Sequence, residues 1–178
     1  MIKLTTPLTK EDIINLKAGD VVYLTGTIYT ARDAAHKRIL SLIENNEPTP
    51  FDLMNSIIYY TGPTPAQPGK IIGSCGPTSS YRMDAFMDTF GKKGQLASIG
   101  KGDRNDSVIE ACKKYQMIYF LATGGIGAKL STCVKKCQII AFQDLGAEAV
   151  RELYVEDFPL IVGYDTYGNS IFGGKEND

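Results

Sequence analysis

Three times in this chain of 178 residues, a short apolar segment ends in a glycine-containing turn, and a basic or hydroxyl residue follows near a predicted helix start. The turns contain Gly26, Gly76 and Gly100. Segments rich in β-branched and aromatic residues predict strands, and strands that alternate with helices are typical of α/β folds. The layout therefore predicts an α/β domain in which a mixed sheet is covered by helices.

The spacing of apolar, turn-forming and proline residues predicts where the elements lie. Strands are predicted at residues 20–26, 56–61, 70–74, 95–99, 117–122, 137–142, 154–155 and 159–164, and helices at 30–46, 79–90, 105–115 and 128–134. Thr30 and Asp33 fit a capping box at the start of the first helix. A hairpin turn is predicted at 165–169, and a frayed tail at 173–178.

Length and charge limit the kinds of protein that this chain can be. Its length suits one domain, spanning residues 1–178, and hydrophobic residues make up 43% of it. The formal net charge of -1 gives no bulk attraction to nucleic acid or to an acidic membrane. No apolar run approaches the ~20 residues that span a bilayer, and the N-terminal segment lacks the apolar stretch of a signal peptide. We therefore expect a cytoplasmic protein without membrane attachment.

The chain has four cysteines, Cys75, Cys112, Cys133 and Cys137. A reducing compartment argues against disulfides, and the spacing contains no CxxC pair or cluster signature. We expect all four to be structural thiols, so that this chain holds no metal cluster itself.

Basic residues follow the predicted junctions between strand and helix. Arg32, Arg82 and Lys101 lie near helix starts, where unpaired backbone N–H groups and a partial positive charge attract anions. Crevices beyond the carboxyl ends of strands are the usual ligand sites of open α/β sheets. Arginine suits bidentate binding of a planar carboxylate, and lysine acts more as a point charge. The three cations are therefore predicted to converge on one carboxylate anion.

Two further polar residues lie at helical spacing from the arginines. Thr78 precedes Arg82 by four residues, and His36, the only histidine, follows Arg32 by four. At that spacing each pair spans ~6 Å along one face of a helix. Each helix start can therefore present two polar groups to the same crevice.

The same residues also have ordinary structural interpretations, which spacing leaves open. These are an ion pair of Arg82 with Asp84 or Asp88, solvent exposure of Arg32 and Lys101, packing or solvation of His36, and helix capping by Thr30 and Thr78. From the residue pattern alone, the prediction is an α/β domain with a carboxylate-binding crevice.

Four ordered blocks of sequence resemble the beta half of class I fumarases and L-tartrate dehydratases. The blocks are LTGTIYTARDAAHKR at 24–38, FDL at 51–53 with IIYYTGP at 57–63, GPTSSYRMD at 76–84, and IGKG at 99–102. The resemblance runs from about residue 10 to 173, nearly the whole chain. Four blocks in the same order are far more specific than any one of them.

The resemblance implies a two-subunit hydro-lyase that adds water to fumarate to give malate. In this family a 4Fe-4S cluster acts as Lewis acid, and its cysteines belong to the alpha subunit, which is a separate partner. The beta half is similar to a single swivelling β/β/α domain that closes over the cluster. The expected assembly is an alpha2-beta2 heterotetramer.

The resemblance also implies a role for each site residue. Arg32, Arg82 and Lys101 are expected to bind the carboxylates of the substrate, and Thr78 to act as the base. His36 is expected to support the site by orienting Arg32 or a water. Dehydration of L-tartrate, a non-catalytic dicarboxylate-binding module, and a structural protein whose cations only form ion pairs remain as alternatives.

Overall fold

The computed structural model describes residues 2–122 and 127–173. The strands are β1 (Ile2–Thr5), β2 (Val21–Thr30), β3 (Ile57–Tyr59), β4 (Ala97–Gly100), β5 (Ile118–Ala122), β6 (Val134–Ala141) and β7 (Val150–Tyr164). The α-helices are α1 (Lys10–Ile13), α2 (Asp33–Glu44), α3 (Met87–Lys92), α4 (Asp106–Tyr115) and α5 (Gly127–Leu130). Short 3-10 helices occupy Ser80–Phe86, Ser131–Cys133 and Gln143–Glu148.

Five of the strands close into a barrel. β2, β3, β4 and β5 are parallel neighbours in that order, and β7 pairs antiparallel with both β5 and β2. β1 adds to β2 in parallel, and β6 adds to β7 in antiparallel fashion. The prediction of a mixed sheet with helices is thus confirmed. Closure of the sheet was not predicted, because it depends on β2 pairing with a strand more than a hundred residues later in the chain.

The core has two layers because the central strands are buried on both faces. Ile57 and Tyr59 of β3 face the barrel interior, whereas Ile58 of β3 and Tyr60, which follows the strand, belong to a second apolar cluster. That second cluster includes Ile39 of α2 and other side chains from the helical layer. Burying each large apolar side chain contributes about 1.5–3 kcal/mol. The helices are therefore held against the same strands that form the barrel.

The first predicted helix begins later than expected, so the predicted capping box is wrong. β2 continues to Thr30, which is fully buried. The Thr30 hydroxyl accepts from the backbone N–H of Arg151 at 3.0 Å and donates to Ala149 O at 3.4 Å. It is therefore used between strands, and the residue at the N-cap of α2 is Arg32, with extended backbone.

The strand predicted at 70–74 is not a strand. This segment belongs to a loop that folds back on itself, where Thr64 and Ser74 exchange hydrogen bonds of 3.0 and 2.8 Å. The segment is apolar because Ile72 packs into the same buried cluster as Ile57 and Tyr59 of β3.

The two C-terminal strands predicted at 154–155 and 159–164 form one strand, β7. Between them Asp157 adopts a left-handed backbone (φ 49°), and the register with β2 shifts at this point. The turn predicted at 165–169 is confirmed by the bridge between Tyr164 and Ser170. Most of the predicted frayed tail, 174–178, lies outside the described residues.

Within the residues that the structure describes, none of the helices is long and apolar enough to cross a membrane.

Candidate functional site

The carboxyl ends of three parallel strands meet at one mouth of the barrel. Beyond the strands themselves, Ala31 N donates to Tyr59 O (3.1 Å) and Tyr60 N donates to Ile99 O (2.8 Å). Arg32 follows the end of β2, and Lys101 follows the end of β4. Two of the predicted cations are thereby brought to the same edge of the barrel, with β3 between them.

The segment that carries Thr78 lies between the ends of β3 and β4. Thr78 N donates to Tyr60 O at 2.7 Å, and Ser80 N donates to Lys101 O at 3.0 Å. Thr78 is therefore at the barrel mouth beside the Lys101 backbone. The 3-10 helix begins only at Ser80, so the interpretation of Thr78 and Arg82 as neighbours on one α-helical face is wrong.

The end of β3 anchors the loop before Thr78 by side chains as well as by backbone. The Tyr59 hydroxyl donates to Cys75 O, and the Thr61 hydroxyl donates to Gly76 O at 2.7 Å. Both Tyr59 and Thr61 are buried. The backbone around Thr78 is consequently held at three points along β3 and its extension.

Arg32 is half-buried, and part of its side chain lacks a partner. Its terminal Nη1 and Cδ lie against Gly62, where an added Cβ would come within 3.0 and 3.2 Å of them. Its Nε is buried and has no hydrogen-bond acceptor among the described residues. A buried donor without a partner costs about 1–3 kcal/mol, and such groups call for an explanation. An acceptor on a bound ligand would satisfy it.

Arg82 and Lys101 are exposed at the same mouth. Arg82 does not pair with Asp84 or Asp88 in the described structure; its Nη1 lies 3.9 Å from Asp33 Oδ2. Interactions with Tyr81, the hydrogen bond first among them, raise the pKa of Arg82, and the charge of Asp33 adds to that effect. Arg82 therefore stays charged in a position that solvent and ligands can reach.

His36 is a packed histidine. It is 1% exposed, its ring stacks on Phe90 with centroids 5.0 Å apart, and its Nδ1 lies 2.8 Å from Arg32 O. Burial lowers the pKa of His36 to about 4, although the bond to Arg32 opposes that effect. The neutral ring therefore donates from Nδ1 to the Arg32 carbonyl at neutral pH, which fits a supporting role.

The ion pair between Arg104 and Asp84 was not predicted. Arg104 Nε donates to Asp84 Oδ1 at 2.7 Å, and the arginine side chain is 0% exposed. The two residues are twenty positions apart, and neither helical nor strand periodicity connects them. A buried arginine directly after the lysine loop has no local sequence signature.

The four cysteines lie in environments that raise the pKa of their thiols. No group of three or more His, Cys, Asp or Glu side chains that could hold a metal is present in 2–122 and 127–173. Burial raises the pKa of Cys75 and of Cys112 to about 12, and it also raises the pKa of Cys133 and Cys137. Metals bind the thiolate, so these environments oppose ligation.

Comparison with known proteins identifies similar chains. The family model described as Fumarase C-terminus matches residues 1–174. A Methanocaldococcus jannaschii protein provisionally named L(+)-tartrate dehydratase subunit beta is 44% identical over 171 residues, covering 93% of this chain and 88% of the relative. The L(+)-tartrate dehydratase subunit beta of Escherichia coli is 36% identical over 173 residues, covering 94% and 85%. Fumarate hydratase 2 of Leishmania major is 37% identical over 175 residues, which are 96% of this chain but 31% of that enzyme.

Proposed function

The chain belongs to the fumarase C-terminus family, and from that membership we propose that it is the beta subunit of a 4Fe-4S-dependent hydro-lyase that reversibly hydrates fumarate to malate. In this proposal the chain supplies the contacts to the substrate carboxylates and the base. In the proposal a partner alpha subunit holds the cluster, and the buried thiols of Cys75 and Cys112, whose pKa is raised, support that assignment.

One observation carries the proposal. The mouth of the barrel brings Arg32, Thr78 and Lys101 to the ends of three adjacent parallel strands. At that mouth Arg32 keeps a buried Nε–H that finds no acceptor among residues 2–122 and 127–173. Clustered cations with an unsatisfied donor favour a small anion that accepts hydrogen bonds, and a dicarboxylate meets that description.

The cations have a clear role in such a reaction. Removal of a proton from the carbon next to a carboxylate leaves an aci-carboxylate with additional negative charge. Fixed positive groups aimed at that charge stabilise the transition state more than they stabilise the bound substrate, and they therefore lower the activation barrier. Arg32, Arg82 and Lys101 hold the two carboxylates, and Arg82 exchanges its 3.9 Å contact with Asp33 for the substrate.

Thr78 is the proposed base, and it takes the proton at its hydroxyl oxygen. A threonine hydroxyl is intrinsically a very weak base, so its deprotonated form needs strong stabilisation by nearby positive groups. The Lys101 loop contacts the Thr78 segment directly through the Ser80 N–H. The proton on the leaving hydroxyl comes from the alpha subunit, and His36 takes part in no proton transfer.

L-tartrate dehydration is the second candidate. The chain covers 88% and 85% of the two relatives named as tartrate dehydratase beta subunits, but 31% of the fumarate hydratase of Leishmania major. The two substrates differ by hydroxyl groups and share both carboxylates, so the same cations serve either one.

We place the chain in the cytoplasm, in an alpha2-beta2 heterotetramer, with this domain closing over the cluster-bearing subunit. A non-catalytic dicarboxylate-binding module is the contrasting interpretation, and it predicts ligand binding without any turnover.

Turnover by separated and mixed subunits tests the proposal. The chain alone, the anaerobically reconstituted alpha subunit alone, and their mixture are assayed with fumarate by ultraviolet absorbance and with L-tartrate by oxaloacetate formation. We expect fumarate hydration only in the mixture. Turnover of tartrate but not of fumarate would support a hydro-lyase with a different substrate. If the mixture turned over neither compound with an intact cluster, the proposal that the chain is part of an enzyme would be contradicted.

A further inference from the structure

A buried cation lies behind the proposed site. The Arg104 side chain has no exposed surface, and besides Asp84 it contacts Ser98 Oγ at 3.0 Å and the Tyr60 hydroxyl at 3.2 Å. Its guanidinium also lies over the rings of Tyr60 and Tyr119, 5.2 and 4.8 Å from their centroids. Burying an ion pair is often no more stabilising than apolar packing, so its value in a fold is frequently to fix a geometry.

The geometry that this pair fixes is the relation between two substrate-binding segments. Asp84 lies two residues after Arg82 in the 3-10 helix, and Arg104 lies three residues after Lys101. The other carboxylate oxygen of Asp84, Oδ2, accepts from Asn105 N at 2.8 Å. The Asp84 carboxylate thus joins the 3-10 helix that carries Arg82 to two groups just after the Lys101 loop. These groups are the side chain of Arg104 and the backbone N–H of Asn105.

Tyr119 reinforces the same junction from the barrel side. Its hydroxyl lies 2.8 Å from Ser80 Oγ and donates to Gly102 O at 2.7 Å. Ser80 begins the 3-10 helix that carries Arg82, and Gly102 follows Lys101. The two segments are therefore tied at Ser80 and again at Asp84.

From this geometry we infer that Arg104 is a positioning residue: through its bond to Asp84 it fixes Arg82 and Lys101 at the separation needed to hold the two carboxylates of one substrate. The inference rests on the proposed function, because it requires both cations to bind the same dicarboxylate. Being fully buried, Arg104 does not itself touch the substrate.

Variants can separate this role from a general contribution to folding. Arg104→Lys keeps the charge but loses the planar fork that reaches several acceptors at once. The double variant Arg104→Met/Asp84→Asn removes both charges of the pair, so that neither member is left buried without the other. The matched control is Arg38→Met/Asp144→Asn, which removes an exposed arginine–aspartate pair.

The kinetics are measured on the complex with the reconstituted alpha subunit. For the double variant we expect KM for the dicarboxylate to rise at least tenfold and kcat to fall by about 100-fold, the loss typical of a reactive geometry displaced by ~1 Å. Arg104→Lys should lie between the parent and the double variant, and the control pair within twofold of the parent. A purely structural role would lower the amount of active enzyme and leave KM unchanged.

Parent-like KM and kcat in a folded double variant would overturn the inference. If the double variant does not fold, Arg104→Lys is judged by the same two parameters. Inactivity of the parent complex would contradict the proposed function instead. Because the inference rests on that function, amide hydrogen exchange in Arg104→Lys then tests only its structural half: faster exchange at Ser80 and Asn105 shows that Arg104 ties the two segments together, and unchanged exchange contradicts it.

Discussion

His36 Nδ1 donates to the carbonyl oxygen of Arg32, 2.8 Å away and one turn earlier at the start of α2. The Arg32 carbonyl also accepts the backbone N–H of His36, at 2.9 Å. The imidazole is packed against Phe90 and is neutral near pH 7, because burial opposes its protonation. The backbone of Arg32, the proposed substrate-binding arginine, is thus held by the neutral imidazole of His36.

His36 should make the stability of the chain depend on pH. The unfolded chain binds a proton near pH 6.5, whereas the folded chain resists it until about pH 4, so protonation favours unfolding. The stabilisation from keeping His36 neutral is present above pH 6.5 and is lost as pH falls through 4; it amounts to about 3 kcal/mol. Denaturant unfolding between pH 4 and 8 should show this loss, and His36→Phe should reduce it. An equal pH dependence in both proteins would contradict the assignment.

Arg32 is predicted to serve binding at the expense of stability. Arg32→Met removes a buried donor that has no acceptor in the part of the chain that the structure describes, so the free energy of unfolding should stay equal or rise. KM for the dicarboxylate should rise by about 100-fold, because a charged hydrogen-bond donor to the substrate is lost. Arg38→Met, on the exposed side of the same helix, is the control and should change KM less than twofold. A large loss of stability with an unchanged KM would show that Arg32 stabilises the fold and does not bind the substrate.

The close contact at Gly100 should make this position intolerant of any side chain. A Cβ at Gly100 would lie 1.9 Å from Ser80 Oγ and 2.9 Å from a ring carbon of Tyr60. Gly100→Ala should therefore cost about 1–3 kcal/mol of stability and push the Lys101 loop away from the Thr78 segment. Gly146→Ala is the comparison, since no atom lies within 4 Å of a Cβ there; its positive φ (61°) adds a backbone strain that Gly100 does not have. Equal effects of the two substitutions on unfolding and on turnover would show that contact at Gly100 is unimportant.

The hydroxyl of Thr61 should matter for the rate more than its methyl group does. Thr61→Val keeps the shape of the side chain but leaves the carbonyl of Gly76, which lies just before the proposed base Thr78 in the chain, without its 2.7 Å donor. We expect a loss of about 1 kcal/mol in stability and a clear fall in kcat, and Thr61→Ser should restore both. Should the serine and valine variants behave alike, the hydroxyl does not hold the loop.

The fold was predictable where its signals are local. The helix at 105–115 and the strand at 117–122 agree with α4 and β5 to within a residue or two, because an asparagine cap and a short apolar run mark them. The misplaced start of α2 has a tertiary cause. Thr30 has the side chain of a cap, but its hydroxyl is used by the strand that packs beside it.

The site was predictable only in part, for the same physical reason. Arg32, Thr78 and Lys101 follow strand ends, so a parallel sheet brings them to one edge wherever those strands are neighbours. Arg104 and Asp84 are brought together by the tertiary fold, and no periodicity in the chain relates them. Closure of the barrel likewise depends on β2 pairing with β7, which is remote in sequence.

The rate of fumarate hydration by the alpha–beta complex carrying Thr78→Val tests the central claim most directly. Thr132→Val, which changes an exposed threonine elsewhere on the chain, is the control. If Thr78 is the base at the barrel mouth, kcat should fall by at least about 100-fold with KM changed little, while the control keeps the parental rate. A Thr78→Val complex that hydrates fumarate within twofold of the parental rate would contradict the account.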